Sequence, residues 1–145
     1  MSNRAKGNKF EKELCDILSK HGFWVHNFAQ NSAGQPADII AVMNGTPVLI
    51  DCKDCDKEYF PFSRVEDNQR LAMKHWIRCG NAWCYFAVKV PNGTIYMIPY
   101  NLISMYEDVF GKTSFEKKDF AIGFRTLTEW LGVMECSQEL ETISK

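Results

Sequence analysis

The sequence predicts an α/β fold in which a central mixed β-sheet is flanked by helices. The first observation is an Asn-Gly pair, residues 44–45, between two apolar runs, which is the strongest short-range signal of a β-hairpin with a two-residue turn. The second is that both faces of this hairpin are apolar, as in a sheet that is covered on both sides. The third is the helical spacing of apolar residues before and after the hairpin.

Length and composition fit one domain. The 145 residues are enough for a sizeable core, and 46% hydrophobic and 24% charged residues are ordinary for a soluble globular protein. We expect a single domain over residues 1–145, with its core at about 4–100 and a C-terminal extension at 101–145. No apolar run approaches the ~18–20 residues of a membrane span, and the N-terminus lacks a signal peptide, so a cytoplasmic location is expected.

The net charge of −1 gives no global positive field for nucleic acid. The charge is unevenly distributed, because basic residues are concentrated at the start of the chain and acidic residues at its end. A local basic surface on a near-neutral body is compatible with a DNA partner, and a merely solvated terminus explains the same charges equally well. The basic residues near the start are Arg4, Lys6, Lys9 and Lys12.

The first elements follow from periodicity. Residues 9–21 have apolar side chains at three- and four-residue spacing, which predicts an amphipathic helix that ends at Gly22. Residues 23–28 predict a short aromatic strand. The small polar loop at 29–35 leads into the hairpin and is a candidate for contacting phosphate.

The elements after the hairpin alternate between helices and strands. Gly80 is a stop signal for the second helix, and a Pro-Asn-Gly turn separates two apolar strands. The predicted elements are a connector at 54–65, a helix at 66–79, strands at 83–90 and 94–99, a helix at 101–109 capped by Asn101, a strand near 120–124, a helix at 128–133 and an acidic tail.

Six cysteines without a secretion signal predict reduced thiols. A four-thiolate zinc site from Cys52, Cys55, Cys79 and Cys84 is disfavoured, because Cys52 lies inside an apolar strand and no short knuckle surrounds the later pair. A redox pair of Cys52 and Cys55 is also disfavoured, since the second cysteine opens no evident helix. Buried free thiols are the favoured interpretation.

Charged residues break the apolar pattern at the open end of the hairpin. With the turn at 44–45, Asp38 falls opposite Asp51, and Lys53 lies on the same face by strand periodicity. Like charges facing each other across a ladder destabilise it, so folding alone gives no reason for this arrangement. A surface salt link explains any one of these residues, but three together on an apolar hairpin favour a functional site.

The chemistry of this cluster suits a divalent cation. Carboxylate oxygens are ligands for Mg²⁺ or Mn²⁺, and the backbone carbonyl of Cys52 lies between the charged residues as a further ligand. Glu11 lies at the border of the apolar stripe of the first helix, where a carboxylate can reach the site. Such an ion activates water and offsets charge on a phosphate, and Lys53 is suited to orient that water. This predicts phosphodiester hydrolysis.

These residues carry a resemblance to a known superfamily. Glu11 on a first helix, Pro36-Ala37-Asp38 and Asp51-Cys52-Lys53 resemble the signature of PD-(D/E)xK nucleases. The sequence departs from that pattern by one residue, Ala37, between the proline and the aspartate. The resemblance implies a restriction-endonuclease-like core.

Within the superfamily, the sequence most resembles Holliday-junction resolvases of the archaeal and RecU types. Lys6-Gly7 followed by Glu11 is similar to the start of these enzymes, and residues 38–53 are similar to their hairpin. Phe60-Pro61-Phe62 followed by Gln69 resembles a RecU-type segment that ends in an active-site glutamine. The resemblance covers about residues 4 to 100.

The resemblance implies a Mg²⁺-dependent homodimer whose two sites cut opposing strands of a four-way DNA junction. Because phosphate contacts position DNA without reading its sequence, they suit an enzyme that selects a branched shape. The implied roles are metal binding by Glu11, Asp38 and Asp51, assistance to the attacking water by Lys53, support of the site by Gln69, and DNA-backbone contacts by Arg4, Lys6 and Ser32.

Two alternatives stay open from the sequence. One is another PD-(D/E)xK deoxyribonuclease that acts on flaps, ends or duplex DNA. The other is a non-catalytic DNA-binding module that keeps the same fold. Loss of cleavage with retained DNA binding in an Asp51→Asn variant separates an enzyme from such a module.

Overall fold

The computed structural model describes residues 3–28 and 34–144. A six-stranded sheet has the order β1-β2-β3-β5-β6-β8, and β4 and β7 form a separate two-stranded sheet. The strands are β1 (Trp24–Asn27), β2 (Ile39–Met43), β3 (Thr46–Asp54), β4 (Phe60–Pro61), β5 (Cys84–Lys89), β6 (Ile95–Pro99), β7 (Ser114–Phe115) and β8 (Arg125–Thr126). The helices are α1 (Asn3–Lys20), α2 (Asp67–Arg78), α3 (Tyr100–Asp108), α4 (Lys117–Gly123) and α5 (Leu127–Ser144), with a short 3-10 turn at Phe62–Arg64.

The predicted hairpin is present as β2 and β3. Met43 pairs with Thr46, and the two turn residues have positive φ angles, 50° at Asn44 and 78° at Gly45. A type I′ turn requires positive φ at both central positions, and Asn-Gly tolerates this better than other pairs do. The turn therefore fixes the register of the hairpin, as the sequence predicts.

The sheet is mixed, which confirms the predicted fold class. β3 pairs with β5 in parallel, whereas the other pairs described in the main sheet are antiparallel. A parallel pair needs a long crossover, and here the connection contains β4, the 3-10 turn and α2. This crossover brings the start of α2 over the open end of the hairpin.

One face of the sheet is covered by α1 and α5, and the other by α2, α3, α4 and the small sheet. Successive β3 residues alternate between these layers, so Ile50 faces α1 while Leu49 faces α2. Burying one large apolar side chain fully contributes on the order of 1.5–3 kcal/mol to the free energy of folding. The first layer includes Phe10, Leu14, Leu18, Trp130 and Leu131, and the second includes Phe60, Met73, Phe86, Ile103, Phe115 and Phe120.

The prediction of a strand near 120–124 is wrong, because residues 120–123 belong to α4 and Phe124 is the C-cap of that helix. The helix begins with a capping box in which Glu116 and Asp119 bond each other's backbone N–H groups. Phe120 is buried and packs against Phe124 at a ring-centroid distance of 5.4 Å. Phe120 thus packs from a short helix, and its partner Phe124 follows directly after that helix.

Three helix boundaries also differ from prediction. α1 begins at Asn3, ahead of the predicted residue 9, and α5 extends to Ser144 rather than ending at 133. Pro99, not Asn101, is the N-cap of α3, because the extended backbone of β6 runs directly into this helix. In the described part of the chain, no helix has both the length and the apolar character needed to cross a membrane.

Candidate active site

The open end of the hairpin positions Asp38. The last ladder pair between β2 and β3 is Ile39–Ile50, and just beyond it the Asp38 N–H donates to the Ile50 carbonyl at 3.2 Å. Asp38 therefore does not face Asp51 as a regular ladder pair. Instead, its carboxylate Oδ2 accepts the Cys52 N–H at 2.8 Å, which fixes the side chain at the end of β3.

Asp51 and Lys53 form a buried ion pair on the α2 side of the sheet. Asp51 is 0% exposed and Lys53 is 9% exposed, and Lys53 Nζ lies 3.0 Å from Asp51 Oδ2. Alternate residues of a strand point to the same face, so their proximity confirms the prediction that Lys53 lies on the same face as Asp51. A buried charge is expensive unless it is paired, and each residue here supplies the other's partner.

Gln69 holds this pair from the first turn of α2. Its amide Nε2 donates to Asp51 Oδ1 at 3.0 Å, and its Oε1 accepts from Lys53 Nζ at 3.2 Å. The same Oε1 accepts the Glu66 N–H at 3.1 Å, as part of the capping box that starts the helix. One side chain therefore caps α2 and fixes both charged groups of β3.

Glu11 reaches the site from α1. Its pKa is raised to about 7, first by burial and then by the charge of Asp38 and a hydrogen bond with it, against the lowering effect of Lys53. The pKa of Asp51 is raised well above its usual range, mainly by burial, with Lys53 opposing the rise and Asp38 adding to it. Asp38 is thus close to both carboxyls, and their mutual repulsion disfavours full ionisation without a cation.

The donor set fits a hard divalent cation. Asp51 Oδ2 is buried and accepts no hydrogen bond, because Lys53 is close enough for charge attraction but poorly directed. Within residues 3–28 and 34–144, no three His, Cys, Asp or Glu side chains form a ready metal cage. Mg²⁺ needs only one or two protein carboxylates, since waters and substrate phosphate complete its shell.

The Cys52 backbone is oriented toward the same side. In a strand, the N–H and C=O of one residue point to the same neighbouring strand. The Cys52 N–H bonds Asp38, so its carbonyl also points toward the side where β2 has ended. This orientation is compatible with the predicted role of that carbonyl as a ligand.

The predicted DNA-contacting residues have different outcomes. Lys6 lies 3.1 Å from Asp56 and lines a groove of about 310 Å³ that also includes Lys53. Arg4 lies on α1, but its side chain is outside the description, and Ser32 lies outside the described residues. The structure therefore places Lys6 near the site and does not address the other two.

Sequence reasoning gave the loop that contains Gln35 as a candidate for contacting phosphate, but it did not predict contacts of Gln35 or Asn68 next to the carboxylates. Gln35 Nε2 donates to Asp38 Oδ1 at 3.4 Å, and Asn68 Nδ2 donates to the Gln35 carbonyl at 3.1 Å. No periodicity or motif marks a single polar residue in a loop or in the first turn of a helix. Their importance follows only from the packing of α2 against residues 34–38.

The cysteines do not form an alternative centre in the described residues. All six are free thiols, and burial raises the pKa of Cys52, Cys55 and Cys84. Such thiols are mainly protonated near neutral pH, which is unfavourable for metal binding or nucleophilic attack. Cys55 and Cys84 are buried in the core, and Cys55 Sγ also accepts a hydrogen bond from Arg64 at 3.3 Å.

The family of the chain follows from comparison with known proteins. Residues 2–132 match the family model described as archaeal Holliday junction resolvase (Hjc). The chain belongs to the archaeal Holliday junction resolvase family. The match extends past residue 100 to most of the C-terminal residues, and it confirms the resemblance predicted from the nuclease signature.

Known resolvases resemble this chain in sequence and in fold. The crossover junction endodeoxyribonuclease Hjc of Methanocaldococcus jannaschii is 30% identical over 97 residues, which cover 67% of this chain and 68% of that protein. The structure of Archaeoglobus fulgidus Hjc, a Holliday junction resolvase, has a TM-score of 0.64 at 20% identity and covers 86% of this chain and 97% of its own.

A second solved structure shows that a nuclease described as a homing endonuclease has the same fold. A bacterial homing endonuclease matches with a TM-score of 0.59 at 13% identity, covering 97% of this chain and 98% of its own. At such low identity the match concerns the fold alone. The predicted restriction-endonuclease-like α/β architecture is confirmed by both structures.

Proposed function

We propose that this protein is a metal-dependent DNA endonuclease that resolves four-way junctions by paired hydrolysis of phosphodiester bonds. The observation that carries the proposal is the cluster of Asp38, Asp51 and Lys53 at the open end of the hairpin in a chain of the resolvase family. The close carboxyls support this proposal, because a bound cation would offset the repulsion that disfavours their full ionisation.

The residues of the cluster have different roles in this proposal. Glu11, Asp38, Asp51 and the Cys52 carbonyl would hold Mg²⁺, with Mn²⁺ as a substitute. When bound, the ion supplies an activated water and offsets negative charge on the phosphate in the transition state. Lys53 would orient the attacking water and stabilise the developing charge, because its ammonium carries mobile donors on a buried stem.

Gln69 keeps this arrangement rigid. Because its amide bonds both Asp51 and Lys53, neither side chain is free to adopt another rotamer without breaking a buried hydrogen bond. Its own position is set by the cap of α2. Catalysis depends on groups being held within a fraction of an ångström, so Gln69 is proposed as part of the active site.

The groove beside Lys53 is the proposed path of the DNA backbone. It is lined by Lys6, Lys57 and Arg64, and the Arg64 guanidinium is held by the Asp54 carbonyl at 3.0 Å. Cations along a groove neutralise phosphates without reading bases. Arg4 and Ser32 are proposed as further backbone contacts from the family resemblance.

A homodimer is proposed because resolution requires cuts in two opposing strands. The described part of one chain holds one cluster of this kind. Two copies related by a two-fold axis would present two sites to the two-fold symmetric junction. The exposed apolar side chains of Leu71, which is 68% exposed, and Ile77 on α2 offer contact area for such a dimer.

The proposal is tested with a synthetic four-way junction and a linear duplex of matched sequence. We expect paired nicks in the junction with Mg²⁺, little cleavage of the duplex, and no cleavage in EDTA. Equal cleavage of both substrates would favour a nuclease for flaps, ends or duplex DNA. DNA binding without cleavage under any metal condition would favour a non-catalytic module.

The raised pKa of Glu11 predicts pH-dependent metal binding. A cation needs the ionised carboxylate, and a pKa of about 7 means that protons compete below neutral pH. We expect Mn²⁺ to bind roughly tenfold more tightly at pH 8 than at pH 6, from the ionised fraction of this group alone. The raised pKa of Asp51 acts in the same direction. Isothermal titration of the wild-type protein measures both affinities.

Two variants of α1 control this experiment. Glu11→Gln removes the titrating group and should flatten the pH dependence, whereas Glu13→Gln should keep it, because Glu13 pairs with Lys89 at 3.0 Å. A metal affinity that is independent of pH in the wild-type protein would contradict the assignment of Glu11.

A further inference from the structure

Consecutive residues in the first turn of α2 contact different parts of the site. Gln69 holds Asp51 and Lys53 on β3. Asn68 turns the other way and donates from Nδ2 to the backbone carbonyl of Gln35 at 3.1 Å. The start of this helix therefore contacts both segments that carry the carboxylates.

The contact made by Asn68 continues to Asp38. Gln35 Nε2 lies 3.4 Å from Asp38 Oδ1, and the Cys52 N–H occupies Oδ2 at 2.8 Å. Each oxygen of the carboxylate thus has a donor, one from the strand and one from the loop. The carboxylate plane turns about the Cβ–Cγ bond of Asp38, and the Gln35 amide restrains this rotation together with the Cys52 N–H and the Glu11 carboxyl, which also bonds Asp38.

Gly34 makes the approach of α2 possible. Its φ angle is +80°, and a Cβ at this position would lie 2.8 Å from Asn68 Nδ2. A side chain there would strain the backbone and push Asn68 away from the Gln35 carbonyl. The absence of a side chain at Gly34 therefore leaves room for the hydrogen bond from Asn68 to the Gln35 carbonyl.

We propose that Asn68 is a positioning residue, which orients the Asp38 carboxylate through Gln35. The inference rests on the proposed function, in which Asp38 holds the metal ion. Asn68 is half-buried and does not contact either carboxylate itself. Its action is indirect: it fixes the loop backbone, the loop places the Gln35 amide, and the amide orients Asp38.

The effect should appear in metal affinity and in turnover. Outer partners of metal ligands typically affect affinity or activity by about 10- to 100-fold when they are removed. We expect Asn68→Ala to weaken Mn²⁺ binding by about tenfold and to lower the rate of junction cleavage, with little change in the affinity for junction DNA in EDTA. Gly34→Ala should produce the same pattern from the loop side.

Asn81→Ala is the matched control. Asn81 also donates to a backbone carbonyl, that of Pro47 at 3.1 Å, and it accepts the Trp83 N–H, but it lies at the other end of the hairpin. Its loss should lower the melting temperature without changing Mn²⁺ affinity.

Isothermal titration of the full chain with Mn²⁺ gives distinct outcomes. Weaker binding in Asn68→Ala and Gly34→Ala, but not in Asn81→Ala, supports the inference. Equal affinity in the folded Asn68→Ala and wild-type proteins would overturn it while leaving the proposed function intact. If Asn68→Ala does not fold, wild-type affinity in the folded Gly34→Ala variant would overturn the inference in the same way. Absence of Mn²⁺ binding by the wild-type protein would overturn the proposed metal site and this inference together.

Discussion

Replacing Asp51 by Asn is expected to abolish junction cleavage while leaving junction binding intact. Asp51 is fully buried, and its Oδ2 has an ion-pair contact with Lys53 Nζ at 3.0 Å outside hydrogen-bond geometry, so this oxygen is well placed to bind a cation. Asparagine keeps the shape and still bonds Gln69, but it lacks the charge. We expect the cleavage rate to fall by about 1000-fold or more, the scale seen when a group that stabilises transition-state charge is removed.

Cleavage of a labelled junction and its binding in EDTA are measured on the same preparation. Asp16→Asn is a suitable control, since Asp16 is exposed on α1 and should behave as the wild-type protein does. Unchanged cleavage in Asp51→Asn would remove the metal argument. Loss of both cleavage and binding in a folded variant would indicate that Asp51 acts on the DNA rather than on a cation.

Replacing Lys53 by Met should separate chemistry from metal binding. Methionine preserves most of the buried stem but removes the ammonium that lies 3.0 Å from Asp51 Oδ2. We expect cleavage to fall by about 100- to 10,000-fold, the usual contribution of a positioned acid-base group. Mn²⁺ affinity should be retained or increased, because a competing positive charge has been removed.

Lys89→Met provides the comparison, because Lys89 lies on the neighbouring strand β5 and pairs with Glu13 on α1. This variant should cleave junctions normally. If Lys53→Met lost metal binding together with cleavage, Lys53 would be a structural support of the carboxylates. Normal cleavage by Lys53→Met would exclude any role for its ammonium in the reaction.

The site could be predicted where local rules fix the backbone. The Asn-Gly pair sets a two-residue turn, the turn sets the register, and the register brings Asp38 next to the end of β3. The two-residue period of the strand then places Asp51 and Lys53 on one face. Glu11 followed from its place at the border of a helical stripe, and its proximity to Asp38 appears in its raised pKa. These inferences need only periodicities of 2 and 3.6 residues.

Other features depend on contacts between distant segments. The sequence predicts a strand near 120–124, but the structure has a helix there, with a capping box at Glu116 and packing of Phe120 against other aromatic rings. The contact between Asn68 and Gln35 joins residues 33 positions apart, and no local rule specifies it. The end of the β2–β3 ladder at Ile39 likewise reflects the side chain of Asp38 competing for the Cys52 N–H.

Cleavage of a supercoiled plasmid that extrudes a cruciform tests the central claim most directly. The cruciform base is a four-way junction, and a single nick releases the supercoiling that maintains it. A dimer that cuts both opposing strands in one binding event should therefore yield linear plasmid directly when Mg²⁺ is added, and Asp51→Asn should yield none. Accumulation of nicked circles alone, or equal cutting of a plasmid without the inverted repeat, would contradict paired junction resolution.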